Sequence, residues 1–306
     1  MAQAVRFDRY GDRDVLDVRE VPDPQPGPGQ VAVDVVAAGI NPGETKIRTG
    51  VLHERWPANF PSGEGTDFAG RIAALGDGVS GLAVGDEVLG FSEERSSHAT
   101  RVVVPAQQVT PKPAALSWEV AGSLYVAGTT AFAAVRAVVP EAGEAVAVSG
   151  AAGGVGSIVV QLLRARGVTV IGIAGPDNQE YLRGLGAVAV EYGDGLADRI
   201  RALVPGGIDA FIDTFGSGYV ELALELGVKP ERIDTIIDFA AAEKYGVATE
   251  GNAAGGTIDI LAELADSAAA GTLRIPIAAT YPLTAVRDAF AELERGHTRG
   301  KIVLLP

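Results

Sequence analysis

A glycine-rich segment between two short apolar runs constrains this chain more than any other part of it. Residues 145–148 are apolar and short enough for a buried strand, and residues 168–174 form a second, β-branched run. Between them stand the glycines of the turn, and the residues after the turn have the apolar spacing of a helix. The helix-spaced apolar residues are Ile158, Val159, Leu162 and Leu163. A strand, a glycine turn, a helix and a second strand in this order predict a βαβ unit.

The spacing of the glycines indicates what the turn binds. A Cβ atom would keep a pyrophosphate away from the main chain, and the free N–H groups at a helix N-terminus attract a phosphate. The pattern Gly150-x-x-Gly153-x-x-Gly156 is one residue longer in its first half than the usual dinucleotide fingerprint. Because this turn follows a strand and precedes an amphipathic helix, we predict a dinucleotide site; a purely structural turn in another α/β protein is the alternative.

The end of the second strand predicts which dinucleotide is bound. NAD-specific sites usually place an acid there to hold the ribose 2′-hydroxyl. Here the strand ends in Ala174 and continues as Gly175-Pro176-Asp177-Asn178. No carboxylate stands at the strand tip, which favours NADP(H), although no basic partner for a 2′-phosphate is obvious.

Composition excludes several classes of protein. The net charge of −14 disfavours a nucleic-acid or anionic-membrane partner. No apolar run reaches the length of a membrane span, and no secretory signal is visible. The chain has no cysteine and only His53, His98 and His297 as imidazole donors, all far apart in sequence. We therefore predict no metal, a surface or lightly packed position for each histidine, and a cytoplasmic location.

The chain divides into two parts by pattern. Many short strands joined by Gly/Pro turns are predicted over residues 1–115. The first two form a hairpin, and residues 106–112 are predicted to be a loop. Apolar runs then recur every 20–25 residues with helical stretches between them, after an alanine-rich helix interrupted at Gly128. The predicted fold class is α/β, with a β-rich domain over 1–122, to which 273–306 return, and a doubly wound parallel sheet over 123–272.

Several of these motifs together resemble the medium-chain dehydrogenase/reductase superfamily, on its zinc-free quinone oxidoreductase branch. The matching segments span nearly the whole chain and are residues 39–50, 65–70, 84–88, 127–131, 149–156, 185–192, 213–216 and 300–304. The resemblance implies a GroES-like catalytic domain and a Rossmann domain for NADPH. It also implies hydride transfer to a quinone or to an activated alkene, and a homodimer or tetramer, of which we predict the homodimer. Asn41 stands where the zinc branch carries its first cysteine ligand.

The resemblance implies roles for three residues at the reacting end. Reduction of a quinone or enone places negative charge on oxygen, so a donor aimed at that oxygen is required. Asn41 is expected to donate through its amide and Lys46 to supply positive charge. Tyr125 is expected to deliver a proton, which water could deliver equally well. Arg48 is a further candidate for positive charge, although solvated surface positions are the more usual interpretation for Lys46 and Arg48.

On the cofactor side, the implied contacts follow the nucleotide from end to end. Asn41 and Thr130 are expected near the nicotinamide, Asn178 and Tyr192 near the 2′-phosphate, and Lys301 near a phosphate or ribose. The pyrophosphate residues are Gly150, Ala152, Gly153, Gly154, Val155 and Gly156. The residues expected along the rest of the nucleotide are Gly175, Phe215, Ile237 and Phe239.

These inferences predict a zinc-independent, NADPH-dependent oxidoreductase with a small-molecule quinone or enone substrate. Two alternatives stay open. The first is a 2-alkenal or enoyl reductase, which differs only in the acceptor. The second is a non-catalytic NADPH-binding redox sensor. A zinc alcohol dehydrogenase is a third rival, which predicts bound metal.

Overall fold

A computed structural model describes residues 1–306 and divides them into two units. The first unit consists of residues 1–126 and 257–306, and the second of residues 127–256. The domain boundaries at 122/123 and 272/273 stay a prediction. In the structure, residues 257–272 pack with the first unit. No helix has both the length and the apolar character needed to cross a bilayer.

Eight strands precede the second unit, five lie within it and two follow it. They are β1 (Ala2–Phe7), β2 (Asp17–Val21), β3 (Gln30–Gly39), β4 (Ser62–Gly63), β5 (Asp67–Leu75), β6 (Glu87–Phe91), β7 (Arg101–Pro105), β8 (Val109–Pro111), β9 (Ala145–Val148), β10 (Thr169–Ala174), β11 (Val188–Glu191), β12 (Ala210–Asp213), β13 (Ile233–Thr235), β14 (Ile277–Pro282) and β15 (Lys301–Leu305).

The chain also contains helices, most of them short, and short 3-10 turns supplement them. They are α1 (Pro42–Arg48), α2 (Trp118–Ala121), α3 (Tyr125–Ala137), α4 (Gly154–Ala165), α5 (Gln179–Gly184), α6 (Leu196–Leu203), α7 (Tyr219–Glu225), α8 (Phe239–Tyr245), α9 (Asn252–Gly255), α10 (Ile258–Ala269) and α11 (Val286–Glu294).

The first unit is built on two sheets. A small antiparallel sheet has the order β2-β1-β4, which confirms the predicted N-terminal hairpin. The larger sheet has the order β14-β15-β3-β5-β6-β8, and β7 also pairs with β3. Apolar residues of β3, β5, β6 and β7 form one core cluster, and β1, β15 and α11 enclose another. Residues 106–112, predicted as a loop, contain the short strand β8, which pairs with β6.

The second unit is a five-stranded parallel sheet of order β11-β10-β9-β12-β13. Strand order reverses at β9, so the carboxyl ends of β9, β10 and β12 meet at one edge, which is where open α/β sheets bind ligands. β9, with four buried residues, is an apolar run without alternation because both of its faces are covered. The predicted doubly wound parallel sheet is confirmed.

The predicted helix interruption at Gly128 is wrong. α3 runs without a break from Tyr125 to Ala137, and the chain breaks earlier, at residues 122–124. A Cβ added at Gly122 would lie 2.4 Å from the Ala37 carbonyl oxygen, and Gly39 N–H donates to the Gly122 carbonyl at 2.6 Å. The break therefore falls where the main chain packs directly against β3, a contact that helix propensity does not reveal.

Candidate active site and nucleotide site

The glycine turn of the second unit is a close-packed main-chain structure. Gly150 has φ of +56°, a conformation that side chains other than glycine rarely adopt. A Cβ added at Gly156 would lie 2.2 Å from the Gly150 carbonyl oxygen, so the first turn of α4 packs against the loop. Gly153 precedes α4 as its N-cap residue. The turn therefore leaves bare N–H groups at a helix start, which is the geometry that a pyrophosphate requires.

All six residues predicted for the pyrophosphate lie in this one turn. Ala152 is buried, whereas Gly153, Gly154 and Val155 are partly exposed. The turn thus presents main chain and small side chains on its accessible side. Their contact with a nucleotide stays a prediction.

Asp213, at the end of β12, fastens the loops along the same sheet edge. Its Oδ1 accepts from Ser149 Oγ at 2.6 Å and from the N–H groups of Phe215 and Gly216 at 3.0 and 2.9 Å. Its Oδ2 accepts from Thr235 Oγ1 at 2.8 Å. Sequence reasoning gave this fully buried carboxylate no role. The available signal was an acid at a strand end followed by a glycine-containing loop.

The end of β10 brings together the residues predicted around the 2′-phosphate. Ala174 is the last residue of β10, and Asn178 lies in the 3-10 turn that follows. A Cβ added at Gly175 would lie 3.3 Å from the Tyr192 hydroxyl oxygen, so the phenol lies against the strand end. Gln179 Nε2 donates to the Ala174 carbonyl at 2.9 Å and holds this segment in place. No acid stands at the strand tip.

A cleft of about 530 Å³ opens among the loops that follow β11 and β12. Three aromatic side chains line it, and two of them are half exposed, Tyr192 at 50% and Phe215 at 55%. Phe215 meets Tyr219 edge to face, with ring centroids 5.9 Å apart. Exposed aromatic rings in a cleft of this size suit a flat heterocycle such as adenine.

Three further predicted cofactor residues are spread over the second unit. A Cβ added at Gly216 would lie 3.2 Å from the Ile237 side chain, so Ile237 adjoins the Phe215 loop. Phe239 begins α8 and is partly buried. Thr130 is buried on α3 and follows Thr129, whose hydroxyl accepts from Asn252 Nδ2 at 2.8 Å. Their roles toward a cofactor stay predictions.

In the first unit, Asn41 caps the start of α1 at the end of β3. Its N–H donates to Glu44 Oε2 at 2.8 Å, the arrangement of a capping box. Its side-chain oxygen accepts from Lys301 Nζ at 2.5 Å, and its Nδ2 donates to Asp67 Oδ2 at 3.3 Å. An ammonium group only donates, so this contact fixes which side of the amide carries the oxygen. Asn41 is buried, at 4% exposure.

Lys301 begins β15 with its side chain directed into the first unit. Besides Asn41, its ammonium donates to the Ile40 carbonyl at 3.0 Å and lies 3.8 Å from Asp67 Oδ2. The predicted contact of Lys301 with a phosphate or ribose stays a prediction. The structure adds that this ammonium already has three oxygen neighbours within its own unit.

Tyr125 joins the same cluster from the start of α3. Its ring stacks on Phe91 with centroids 3.9 Å apart and planes 3° from parallel. The next residue, Val126, donates its N–H to Asp67 Oδ1 at 2.8 Å. Two residues predicted to be catalytic, Asn41 and Tyr125, therefore lie around one carboxylate, Asp67. The third, Lys46, lies on α1 and is partly exposed.

Burial dominates the electrostatics of this cluster. It raises the pKa of Asp67 to about 6 and that of Glu64 to about 8, and it raises the pKa of Glu44 as well. Burial also lowers the pKa of Lys301, against the attraction of Asp67 and Glu44. Three buried acids thus surround Lys301 and Arg48, and the cluster holds a proton more readily than the same acids in water.

Two interpretations based on surface exposure are wrong. Arg48 is fully buried rather than solvated, with ion pairs to Glu64 at 3.2 Å and to Glu294 at 2.8 Å. Its guanidinium carbon lies 4.6 Å above the ring centre of Phe290. His98 is fully buried and donates from Nε2 to the Gly39 carbonyl at 3.2 Å; burial lowers its pKa to about 4. Both side chains find partners from distant segments, which local sequence does not reveal.

The chain has few side chains of the types that usually bind zinc, with no cysteine and three histidines. No three of the His, Cys, Asp and Glu residues come together as a group able to hold a metal ion. His53 and His297 each have Nδ1 engaged with a nearby carbonyl, of Gly50 and Arg295 respectively. The position of Asn41, equivalent to a ligand position in the zinc branch, is occupied by an amide that faces an ammonium.

The glycine turn of the second unit and the charged cluster of the first unit define the class of protein. It combines a Rossmann-type nucleotide unit with a β-rich unit. Family models agree with this description. The model described as "Alcohol dehydrogenase GroES-like domain" matches residues 27–141, and that described as "Zinc-binding dehydrogenase" matches residues 184–304.

Similar proteins indicate which dehydrogenases this chain resembles. The quinone oxidoreductase of Rattus norvegicus is 37% identical over 187 residues, an alignment that covers 60% of this chain and 55% of that protein. The quinone oxidoreductase of Homo sapiens is 30% identical, with 100% of this chain and 98% of that protein covered. The solved structure of Escherichia coli quinone oxidoreductase complexed with NADPH has a TM-score of 0.88 at 25% identity, covering 99% of this chain and 100% of that chain.

The chain therefore belongs to the medium-chain dehydrogenase/reductase superfamily, in its quinone oxidoreductase branch, and is an oxidoreductase of that family. The family predicted from sequence motifs is confirmed, and so is the predicted fold class.

Proposed function

We propose that this chain is an NADPH-dependent oxidoreductase that reduces a quinone, or another activated carbonyl or alkene, without zinc. The observation that carries the proposal is the glycine turn, where a Cβ at Gly156 would fall 2.2 Å from the Gly150 oxygen. The cofactor is NADPH. The NADPH complex of the Escherichia coli relative, with its similar fold, supports this choice.

The second unit would hold the nucleotide through main chain and aromatic side chains. The turn between β9 and α4 receives the pyrophosphate, and the helix N-terminus stabilises its charge. Tyr192 and Asn178, beside the acid-free end of β10, receive the 2′-phosphate. Tyr192 and Phe215 flank the adenine in the cleft that they line.

The first unit would supply the charge and proton handling of the reaction. When bound, NADPH supplies the hydride. Reduction of a quinone to a hydroquinone also takes up a proton and places negative charge on oxygen. Asn41, Tyr125 and Lys46 are the residues proposed to meet that charge, with Asn41 and Tyr125 fixed around Asp67. The zinc-free route is supported by Asn41, whose amide oxygen accepts from Lys301 at the position where the resemblance places a ligand in the zinc branch.

Two finer features remain part of the proposal. We expect a homodimer, because the resembling family commonly forms one, and a cytoplasmic location, because the chain has no cysteine. Neither affects the chemistry proposed for the single chain.

The test is NADPH oxidation, followed at 340 nm with the metal-free protein against a panel of quinones, 2-alkenals and enoyl compounds. We expect turnover with quinones and retention of activity after chelator treatment. Turnover only with alkenals or enoyl compounds would identify the alternative reductase. Tight NADPH binding without any turnover would favour the redox sensor, and activity that requires added zinc would contradict the zinc-free route.

A further inference from the structure

Two oppositely charged side chains, Lys301 and Asp67, lie buried beside the two predicted catalytic residues Asn41 and Tyr125. Lys301 is 4% exposed and Asp67 is fully buried. They come from the starts of two strands, β15 and β5, far apart in sequence. Because buried charges are costly unless paired and hydrogen-bonded, their contacts indicate what each one does there.

Asp67 connects two segments of the first unit. One of its oxygens accepts from the N–H of Val126, 2.8 Å away, at the start of α3. The other accepts from Asn41 Nδ2 at 3.3 Å, at the start of α1. Tyr125 lies immediately before Val126, and its ring is held from the other side by Phe91. A single carboxylate thus bonds both the Asn41 amide and the main chain next to Tyr125.

Lys301 acts on the same amide from its oxygen side. Its ammonium donates to Asn41 Oδ1 and to the Ile40 carbonyl, both at the end of β3. A cation on the amide oxygen polarises the amide, and chains of hydrogen bonds strengthen one another in a low-dielectric interior. The N–H groups of Asn41, which face Asp67 Oδ2 at 3.3 Å and Glu44 Oε1 at 3.4 Å, are therefore more polarised than those of a free asparagine, and the amide is held in one orientation.

We propose that Asp67 and Lys301 are positioning residues of the reductase, an inference that rests on the proposed function. Asp67 fixes Asn41 and the start of α3, and Lys301 orients Asn41 by donating to its amide oxygen. Stability alone explains the pair poorly, because hydrophobic replacements of buried ion pairs are often neutral or stabilising.

The experiment compares Lys301→Met, Asp67→Asn and the double variant in the full chain. The matched control is Lys112→Met, since Lys112 is equally enclosed, with 4% side-chain exposure, and pairs with Glu87 at 3.3 Å. We expect Lys301→Met to lower kcat about 100-fold while the KM for NADPH stays within about twofold. The control is expected to keep both constants. If Lys301→Met fails to fold, Lys301→Arg, which keeps the charge, is measured in its place.

The double variant separates positioning from a structural role. It removes both buried charges, so we expect its Tm to rise back toward the wild-type value while kcat stays low. Recovery of kcat together with Tm would overturn the inference, and so would single variants that behave like Lys112→Met. A raised KM for NADPH with kcat intact would instead support the phosphate or ribose contact. Absence of turnover in the wild type would refute the proposed function itself, a result distinct from these.

Discussion

The nucleotide turn of the second unit and the charged cluster of the first unit are built from different parts of the chain. The turn uses main chain from one continuous segment, with glycines that permit its close packing. The cluster uses the side chains of Asn41 at the start of α1, Asp67 of β5 and Lys301 of β15, together with a main-chain N–H at the start of α3. A main-chain site is sensitive to added volume and insensitive to pH. A side-chain cluster has the opposite sensitivities, and substitutions can test this contrast.

The largest expected effect is steric. Gly156→Ala places a Cβ 2.2 Å from the Gly150 carbonyl oxygen, so the loop must move. We expect NADPH affinity to fall by about 100-fold, roughly 2.7 kcal/mol, as measured by fluorescence titration. Gly184→Ala on α5, where an added Cβ meets nothing within 4 Å, is the control and should bind normally. Normal NADPH affinity in both variants would show that the turn does not bind the nucleotide.

A comparable loss is expected at the charged cluster, but in turnover rather than binding. Asn41→Ser removes the amide while serine remains a good N-cap for α1. Loss of a donor to a developing oxyanion typically costs about 100-fold in kcat, and the KM for NADPH should not change. Steady-state kinetics provide both constants. Equal losses in kcat and NADPH affinity would contradict a role at the reacting end.

A negative charge at the end of β10 should alter cofactor choice. Ala174→Asp places a carboxylate beside the ribose, where it repels a 2′-phosphate and favours a 2′-hydroxyl. We expect the ratio of kcat/KM for NADPH over NADH to fall by about tenfold or more. Ala174→Asn has the same shape without the charge and should change the ratio less. An unchanged ratio in the aspartate variant would show that the ribose does not bind beside Ala174.

A large part of the pH dependence of stability should come from Glu64 in the first unit. The pKa of Glu64 is about 8 in the folded protein, through burial and the neighbouring Glu44, against roughly 4.3 when unfolded. Below about pH 4 both states hold the proton, and its contribution to stability is complete. As pH rises toward 8 only the unfolded state releases the proton readily, so the free energy of unfolding falls, by at most about 1.4 kcal/mol per pH unit.

Urea unfolding between pH 4 and pH 9 measures this slope. Glu64→Gln should reduce the decline, most clearly between pH 7 and 8, above the pKa of Asp67, about 6, and that of Asp234 in the second unit, about 7. Glu93→Gln, at an exposed position, is the control and should leave the slope intact. Identical slopes in all three proteins would mean that Glu64 is not the proton-holding group.

The smallest effect is expected at Tyr125. Tyr125→Phe keeps the stacked ring pair with Phe91 and removes only the hydroxyl. If water delivers the proton equally well, kcat falls less than about threefold, whereas a general acid is worth about 100-fold or more. The size of the loss in kcat, with its pH profile, identifies the proton donor.

Sequence determined the second unit almost completely. The glycine turn, the parallel strands and the acid-free end of β10 are local features, because each depends on the conformation of neighbouring residues in one segment. The same locality made the N-terminal hairpin and the final strand predictable. The interruption of the long helix was misplaced because Gly122 packs against β3, a segment about 85 residues earlier in the chain.

Tertiary structure decided the charged cluster. Nothing in the segment around Arg48 or His98 indicates that each is fully buried, since their partners Glu64, Glu294 and Gly39 come from other parts of the chain. The convergence of Asp67 and Lys301 on Asn41 depends likewise on how β5 and β15 are placed beside β3. Backbone conformation is encoded by neighbouring residues, whereas the burial and pairing of charges arise only when distant segments pack together.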